Sequence, residues 1–144
     1  MSAEFSFTSR YPTIYARLHG KNGAVREYRA LINTTTDYCF LPRVDAYRLG
    51  YPEAAHDDPV TIPANLVMLA TSVGYSEGMM IMMRQVEIGD LKIEDVPFLG
   101  FDLPQVIGFD VVLGRNLFQK GGLSLGFDYS LDRIRIAQKS AAGK

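Results

Sequence analysis

The amino-acid sequence predicts a single all-β domain with one or two short helices. Two turns support this prediction, because Asn22-Gly23 and Gly89-Asp90 offer residues that tolerate positive φ angles between apolar segments. Around the second turn, apolar and polar residues alternate with the period of two that is typical of a half-buried sheet. A chain of 144 residues is long enough to bury one core and has the length of one domain.

The expected elements follow from local patterns along the chain. Residues 14–18 and 24–32 flank the first turn and predict a hairpin. A short helix is expected over residues 42–50, which begin with proline and end with glycine, and a loop over residues 51–63, which contain three prolines. The remaining expected elements are a long hairpin from Leu66 to Val86, the hairpin around Gly89-Asp90, a helical turn at residues 115–120 that Gly121-Gly122 ends, and strands at residues 123–127 and 133–136.

Composition narrows the functional classes. The chain has 15 basic and 16 acidic residues, which gives no electrostatic reason to expect nucleic acid or an anionic membrane as a partner. Cys39 is the one cysteine and cannot form an intramolecular disulfide, and the N-terminus lacks the pattern of a secretory signal, so a cytoplasmic location is expected. The longest apolar stretch, at residues 79–83, is too short to span a bilayer.

Two segments carry the chemistry that can be inferred from the sequence. Residues 30–42 read ALINTTTDYCFLP, and residues 110–119 read DVVLGRNLFQ. They resemble the two signatures of the retropepsin-like aspartic proteases, which are an apolar pair followed by Asp-Thr-Gly-Ala/Ser, and an apolar pair followed by Gly, Arg or Met, Asn or Asp, and a short helix. Residues 70–74 and 88–97 are similar to the flap tip of that family and the hairpin after it. The resemblance extends over residues 11–136 in the family's order.

The resemblance implies a single-lobe, closed β-barrel with a flap hairpin, formed by residues 1–138 and followed by a disordered tail at residues 139–144. One lobe supplies one active-site turn, so a homodimer is implied. The implied activity is hydrolysis of a peptide or protein substrate by two carboxylates that share one proton. One carboxylate activates a water molecule, and its protonated partner binds the developing oxyanion. No cofactor or metal is expected, because the two histidines and the cysteine lack ligand spacing.

The active-site turn departs from the family pattern at two positions. Asn33 stands where the catalytic aspartate belongs, Thr34 matches the central threonine, and Thr35 stands where the glycine belongs. An asparagine amide has the shape of a carboxyl group but accepts no proton near neutral pH. A protein with Asn33 in this turn is therefore predicted to be inactive. Two explanations stay open, namely an inactive Asp→Asn form of an endopeptidase, and a natural pseudoprotease that acts as a peptide-binding or dimerisation module.

Further site residues are implied by the resemblance alone. Asp37 would form a structural ion pair with Arg115 and meet the substrate backbone, in preference to acting as a substitute catalyst. Substrate contacts are expected from the flap residues Val73, Gly74 and Tyr75, and from the apolar residues Ile107 and Val112.

Two other expectations concern the surface. The Phe5-Ser-Phe7 segment and the strand at residues 132–136 are candidates for edges that pair across a dimer axis. His19 and His56 fall in a hairpin turn and a polar loop, where solvated surface positions are expected.

Overall fold

A computed structural model of the chain describes residues 2–6, 12–51, 66–71, 74–100 and 109–139. Within these residues there are ten strands and two short α-helices, which confirms the predicted all-β class with short helices. The elements are β1 (Ser2–Ser6), β2 (Thr13–His19), β3 (Val25–Ile32), β4 (Cys39–Leu41), α1 (Arg43–Arg48), β5 (Leu66–Thr71), β6 (Gly74–Ile88), β7 (Leu91–Gly100), β8 (Val111–Leu113), α2 (Arg115–Gly121), β9 (Leu123–Asp128) and β10 (Arg133–Gln138).

Six strands close into a barrel. The larger sheet has the order β2-β3-β8-β4-β7-β6-β5, and β2 also pairs with β6, which joins the two sides of the sheet. β3 runs parallel to β8, β4 runs parallel to β7, and β4 is antiparallel to β8. The closed barrel that the resemblance implied is thereby confirmed.

The barrel core follows the period-two pattern of its strands. In β2, Ile14, Ala16 and Leu18 are buried while Tyr15 and Arg17 point outward and are exposed. The two turns that the sequence predicted adopt the expected backbone, with φ of 57° at Asn22, 76° at Gly23 and 58° at Gly89. The largest fully buried side chains are Phe98, Leu18, Leu41, Leu49, Met79, Met83, Ile88, Leu91, Leu113, Leu117, Ile134 and Ile136.

Helix α1 packs on the barrel through an ionisable side chain. Asp45 is 8% exposed and accepts hydrogen bonds from the Tyr28 hydroxyl at 3.3 Å and from the Arg48 guanidinium at 3.4 Å. Burial and the neighbouring Asp45 carboxylate raise the pKa of Tyr28, so the phenol stays protonated and remains a donor. The helix ends before Gly50, whose φ of 91° satisfies the predicted glycine stop.

A separate three-stranded sheet has the order β1-β10-β9. β10 is antiparallel to β1 on one side and to β9 on the other, so both of its edges are used within one chain. The expectation that residues 132–136 provide a free edge for a dimer is therefore wrong. The cause is a pairing between the two ends of the chain that local patterns do not reveal. Phe7 lies outside the described residues, and Phe5 lies in β1 opposite Ile134.

His19 also differs from its predicted position. It ends β2 where that strand pairs with β6, and its Nε2 atom lies 2.9 Å from Oε1 of Glu87. The two side chains are 29% and 21% exposed, so the histidine is half-buried and paired. The hydrogen bond from His19 is the main reason why the pKa of Glu87 lies below its usual value. His56 lies outside the described residues.

Candidate active site

The turn that begins at Asn33 lies at the ends of two parallel strands. β3 ends at Ile32, which is opposite Leu113 of β8, and the Asn33 backbone N–H donates to the Leu113 carbonyl at 3.0 Å. The chain then turns, since the Thr36 N–H and hydroxyl both donate to the Asn33 carbonyl, at 3.3 and 2.8 Å. This arrangement places Asn33 directly after β3 and beside the end of β8, where it is half-buried.

The Asn33 amide oxygen accepts two hydrogen bonds from one residue. The Thr35 backbone N–H donates to Oδ1 at 3.1 Å, and the Thr35 hydroxyl donates to the same atom at 2.5 Å. This is an Asx turn with an added hydroxyl donor. Thr34 and Thr35 are both exposed. Since an amide neither releases nor accepts a proton near neutral pH, the Asn33 side chain supplies no general acid or base.

The start of α2 holds the second half of the turn. The Arg115 N–H donates to the Thr36 carbonyl at 2.8 Å, and the Asn116 N–H donates to the Asp37 carbonyl at 3.1 Å. The Arg115 guanidinium also donates to the Asp37 carboxylate. The two side chains are 54% and 68% exposed, and a pair as exposed as this adds little to stability. The ion pair therefore orients the turn more than it stabilises the fold.

Gly114 permits the close approach of the turn to α2. A Cβ atom at this position would overlap the carbonyl oxygen and carbon of Tyr38 and lie 3.0 Å from the Cys39 nitrogen. All three atoms belong to the backbone, which cannot swing aside as a side chain could. Only glycine fits between the turn and the helix.

Cys39 and Asn116 connect the turn to the barrel, and sequence reasoning assigned neither of them to the site. The Cys39 thiol accepts from the Gly114 N–H at 3.3 Å and donates to Oδ1 of Asn116 at 3.4 Å. Asn116 Nδ2 donates to the Pro97 carbonyl of β7 at 2.8 Å. The asparagine of the Gly-Arg-Asn motif was the available signal, because a half-buried polar side chain needs hydrogen-bond partners.

We expect the Cys39 thiol to react with alkylating reagents only when the protein unfolds. The side chain is fully buried, and burial raises the pKa of the thiol to about 12 although the Gly114 N–H opposes the shift. The reactive thiolate is thus scarce near neutral pH. Iodoacetamide labelling followed by mass spectrometry should be slow for the native protein and fast in concentrated guanidinium chloride. Equal labelling rates in both conditions would contradict the burial of this side chain.

Three of the remaining predicted site residues, Gly74, Tyr75 and Val112, lie in the part of the chain that the structure describes. Gly74 pairs with Thr71 and Tyr75 pairs with Ala70, at the end of the β5–β6 hairpin. Val112 lies in β8 between Leu31 and Phe40 and is 7% exposed, so in the single chain it is part of the barrel wall. Val73 and Ile107 lie outside the described residues.

A cavity of about 660 Å³ lies elsewhere, between β1, the outward face of the β2–β3 hairpin and the β6–β7 turn. None of the predicted site residues lines it. Ser6 and Thr13 border it, and the chain between them, residues 7–11, is outside the described part, so we assign no site there. The cavity is lined by Glu4, Phe5, Ser6, Thr13, Ile14, Tyr15, Arg17, Glu27, Arg29, Glu87, Gly89 and Asp90.

The described residues provide neither a metal site nor a membrane-spanning helix. No three His, Cys, Asp or Glu side chains in this part of the chain lie close enough together to hold a metal ion. No helix in the same residues has the length and apolar character needed to cross a membrane.

The fold of this chain is similar to that of a solved structure, and the similarity extends over almost the whole length of both chains. The retropepsin-like aspartic protease from Rickettsia conorii matches with a TM-score of 0.60 and covers 94% of this chain and 91% of its own, at 16% sequence identity. The chain has a retropepsin-like fold. No protein-family model matches the sequence, and no curated protein matches it. At this level of identity the similarity concerns the fold, and activity has to be argued from the residues of the turn.

Proposed function

We propose that this chain is one half of a homodimeric aspartic endopeptidase, with Asn33 in the place of the catalytic aspartate. The protein with this sequence would bind a peptide or protein substrate without hydrolysing it. The observation that carries the proposal is the placement of Asn33 at the end of β3 and beside the start of α2, with the Thr35 backbone N–H donating to its Oδ1 atom at 3.1 Å. A backbone donor of this kind suits a carboxylate oxygen, and an amide oxygen of the same shape accepts the same bond.

A dimer is part of the proposal because one chain supplies one turn. With aspartate at position 33 of both chains, two carboxylates would meet and share a proton, since two like charges so close do not both ionise. The ionised carboxylate would take a proton from water as the water attacks the peptide carbonyl. The protonated one would hydrogen-bond the developing oxyanion, and the leaving nitrogen would then be protonated. With Asn33 in both chains, neither step has a proton carrier.

Substrate binding in this proposal uses the surroundings of the turn. An extended peptide would lie against the exposed Asp37 carboxylate, with the hairpin end at Gly74 and Tyr75 folding over it and excluding water. Val73 and Ile107 would provide apolar contacts, whereas Val112 is 7% exposed and offers little surface to a substrate. The proposal needs no cofactor, and a cytoplasmic location is compatible with the reduced, buried thiol of Cys39.

A second candidate is a natural pseudoprotease that binds peptides or dimerises. The observation that favours it is the side chain of Thr35, which fills a position where the family pattern has glycine and donates its hydroxyl to the amide of Asn33. In this alternative the asparagine and threonine are adapted to each other, and an introduced aspartate brings no turnover.

Hydrolysis by the Asn33→Asp protein tests the proposal. The variant and the parent protein would each be incubated with a mixed peptide library from acidic to neutral pH, with new termini read by mass spectrometry. Asn22→Asp is the matched control, since Asn22 is exposed in the first hairpin and the substitution adds the same charge. We expect pepstatin-sensitive cleavage by Asn33→Asp alone. No cleavage by a variant that dimerises and binds peptide would favour the pseudoprotease.

A further inference from the structure

The Thr35 hydroxyl is a donor that a glycine at this position would not supply. A glycine would provide only the backbone N–H, which here lies 3.1 Å from Oδ1 of Asn33. The hydroxyl adds a second donor to the same oxygen at 2.5 Å. Thr35 is exposed and Asn33 is half-buried. The two hydrogen bonds between them therefore do not serve to satisfy a polar atom in the buried core.

We propose that the Thr35 hydroxyl is a positioning group that holds an aspartate at position 33 in its ionised form and so extends hydrolysis to more acidic pH. This inference rests on the proposed function and concerns the regulation of the same site. Hydrogen bonds to a carboxylate favour its charged form, and those from O–H donors are short and strong. Protonation of the aspartate weakens both bonds from Thr35, so the hydroxyl opposes protonation.

The other charges around the turn do not provide this effect. On the turn itself, Asp37 forms an ion pair with Arg115, which is the charged residue at the start of α2, so the two opposite charges partly offset each other. From β8, the Leu113 carbonyl accepts from the Asn33 N–H. The Cys39 thiol of β4 carries no charge near neutral pH and contacts Gly114 and Asn116. In the dimer, the matching aspartate of the second chain would favour protonation of one of the two carboxylates. Within the described turn, the Thr35 backbone N–H and hydroxyl thus act against this repulsion, and the hydroxyl is the donor that a glycine would lack.

Titration of the introduced aspartate measures the effect without requiring hydrolysis. Isotope-labelled aspartate would be followed by NMR in Asn33→Asp, and in the same protein with Thr35→Val, Thr35→Gly or Thr35→Ser. Valine keeps the branched shape without the hydroxyl, glycine removes the side chain, and serine keeps the donor. Hydrogen bonds to charged groups are strong enough that losing one should move the titration of this carboxyl group upward by about one pH unit.

We expect the upward shift in the valine and glycine proteins and the original titration in the serine protein. In each of these proteins that hydrolyses peptides, the acidic limb of the pH profile of kcat/KM should shift by the same number of pH units as the titration. An unchanged titration in both proteins that lack the hydroxyl would overturn the inference. The proposed function is tested separately. It is refuted if the Asn33→Asp protein cleaves no peptide, whatever the titration of its introduced aspartate. A shifted titration without cleavage therefore supports the role of Thr35 and refutes the endopeptidase.

Discussion

The Gly114→Ala protein is expected to be less stable than the parent protein by about 3 kcal/mol or more. The added Cβ would overlap the Tyr38 backbone, and relief requires the turn to move away from α2. That movement breaks the bonds from Arg115 and Asn116 to the turn carbonyls and the bond from the Gly114 N–H to the Cys39 thiol. Each lost bond near the barrel leaves a polar group without its partner.

Denaturant unfolding would measure this loss, with Gly126→Ala as the matched control. Gly126 lies in β9 with ordinary extended pairing, and a Cβ there would have Arg135 Cβ at 3.9 Å as its nearest neighbour. We expect the control to unfold within about 0.5 kcal/mol of the parent protein. If both variants unfolded alike, the close contact between the turn and α2 would be refuted.

Adding the parent protein to the Asn33→Asp protein is expected to inhibit peptide hydrolysis. If the two kinds of chain pair at random, a tenfold excess of the parent places roughly nine in ten of the aspartate chains in mixed dimers. A mixed dimer has one carboxylate beside the Asn33 amide, and one carboxylate cannot act as both acid and base in a step that needs both. The rate should therefore fall roughly tenfold.

The inhibition must come from exchange of subunits and not from competition for substrate. We would therefore allow the two proteins to mix for different times before adding saturating peptide, and use an equal amount of an unrelated protein as the control. Inhibition should increase with mixing time as mixed dimers form. A rate that is independent of the added parent protein after long mixing would mean that each chain acts alone.

Local patterns predicted the hairpins and helices well. Asn22-Gly23 and Gly89-Asp90 specify tight turns through the φ angles these residues tolerate, and the structure has positive φ at Asn22, Gly23 and Gly89. The segment from Pro42 to Gly50 predicted α1 for the same local reason. In each case the information lies within a few neighbouring residues, so no knowledge of the tertiary structure is needed.

Contacts between distant segments could not be predicted in this way. His19 and Glu87 are 68 residues apart, and Cys39 and Asn116 are 77 apart, so no local period relates either pair. β1 and β10 are also far apart in sequence, so local patterns did not reveal that they pair. This pairing is the reason why the free edge expected at residues 132–136 was wrong. For the site, the turn and its asparagine could be recognised from the motif, whereas the two Thr35 donors on Oδ1 depend on the folded turn.

A carboxylate pair at position 33 would determine the pH dependence of kcat/KM for the Asn33→Asp protein, measured beside the parent protein on the same peptide. We expect a bell-shaped profile at acidic pH for the variant, because one carboxyl group must be ionised and the other protonated, and no turnover by the parent. A profile without a fall on the alkaline side, or equal turnover by both proteins, would contradict a carboxylate pair at position 33.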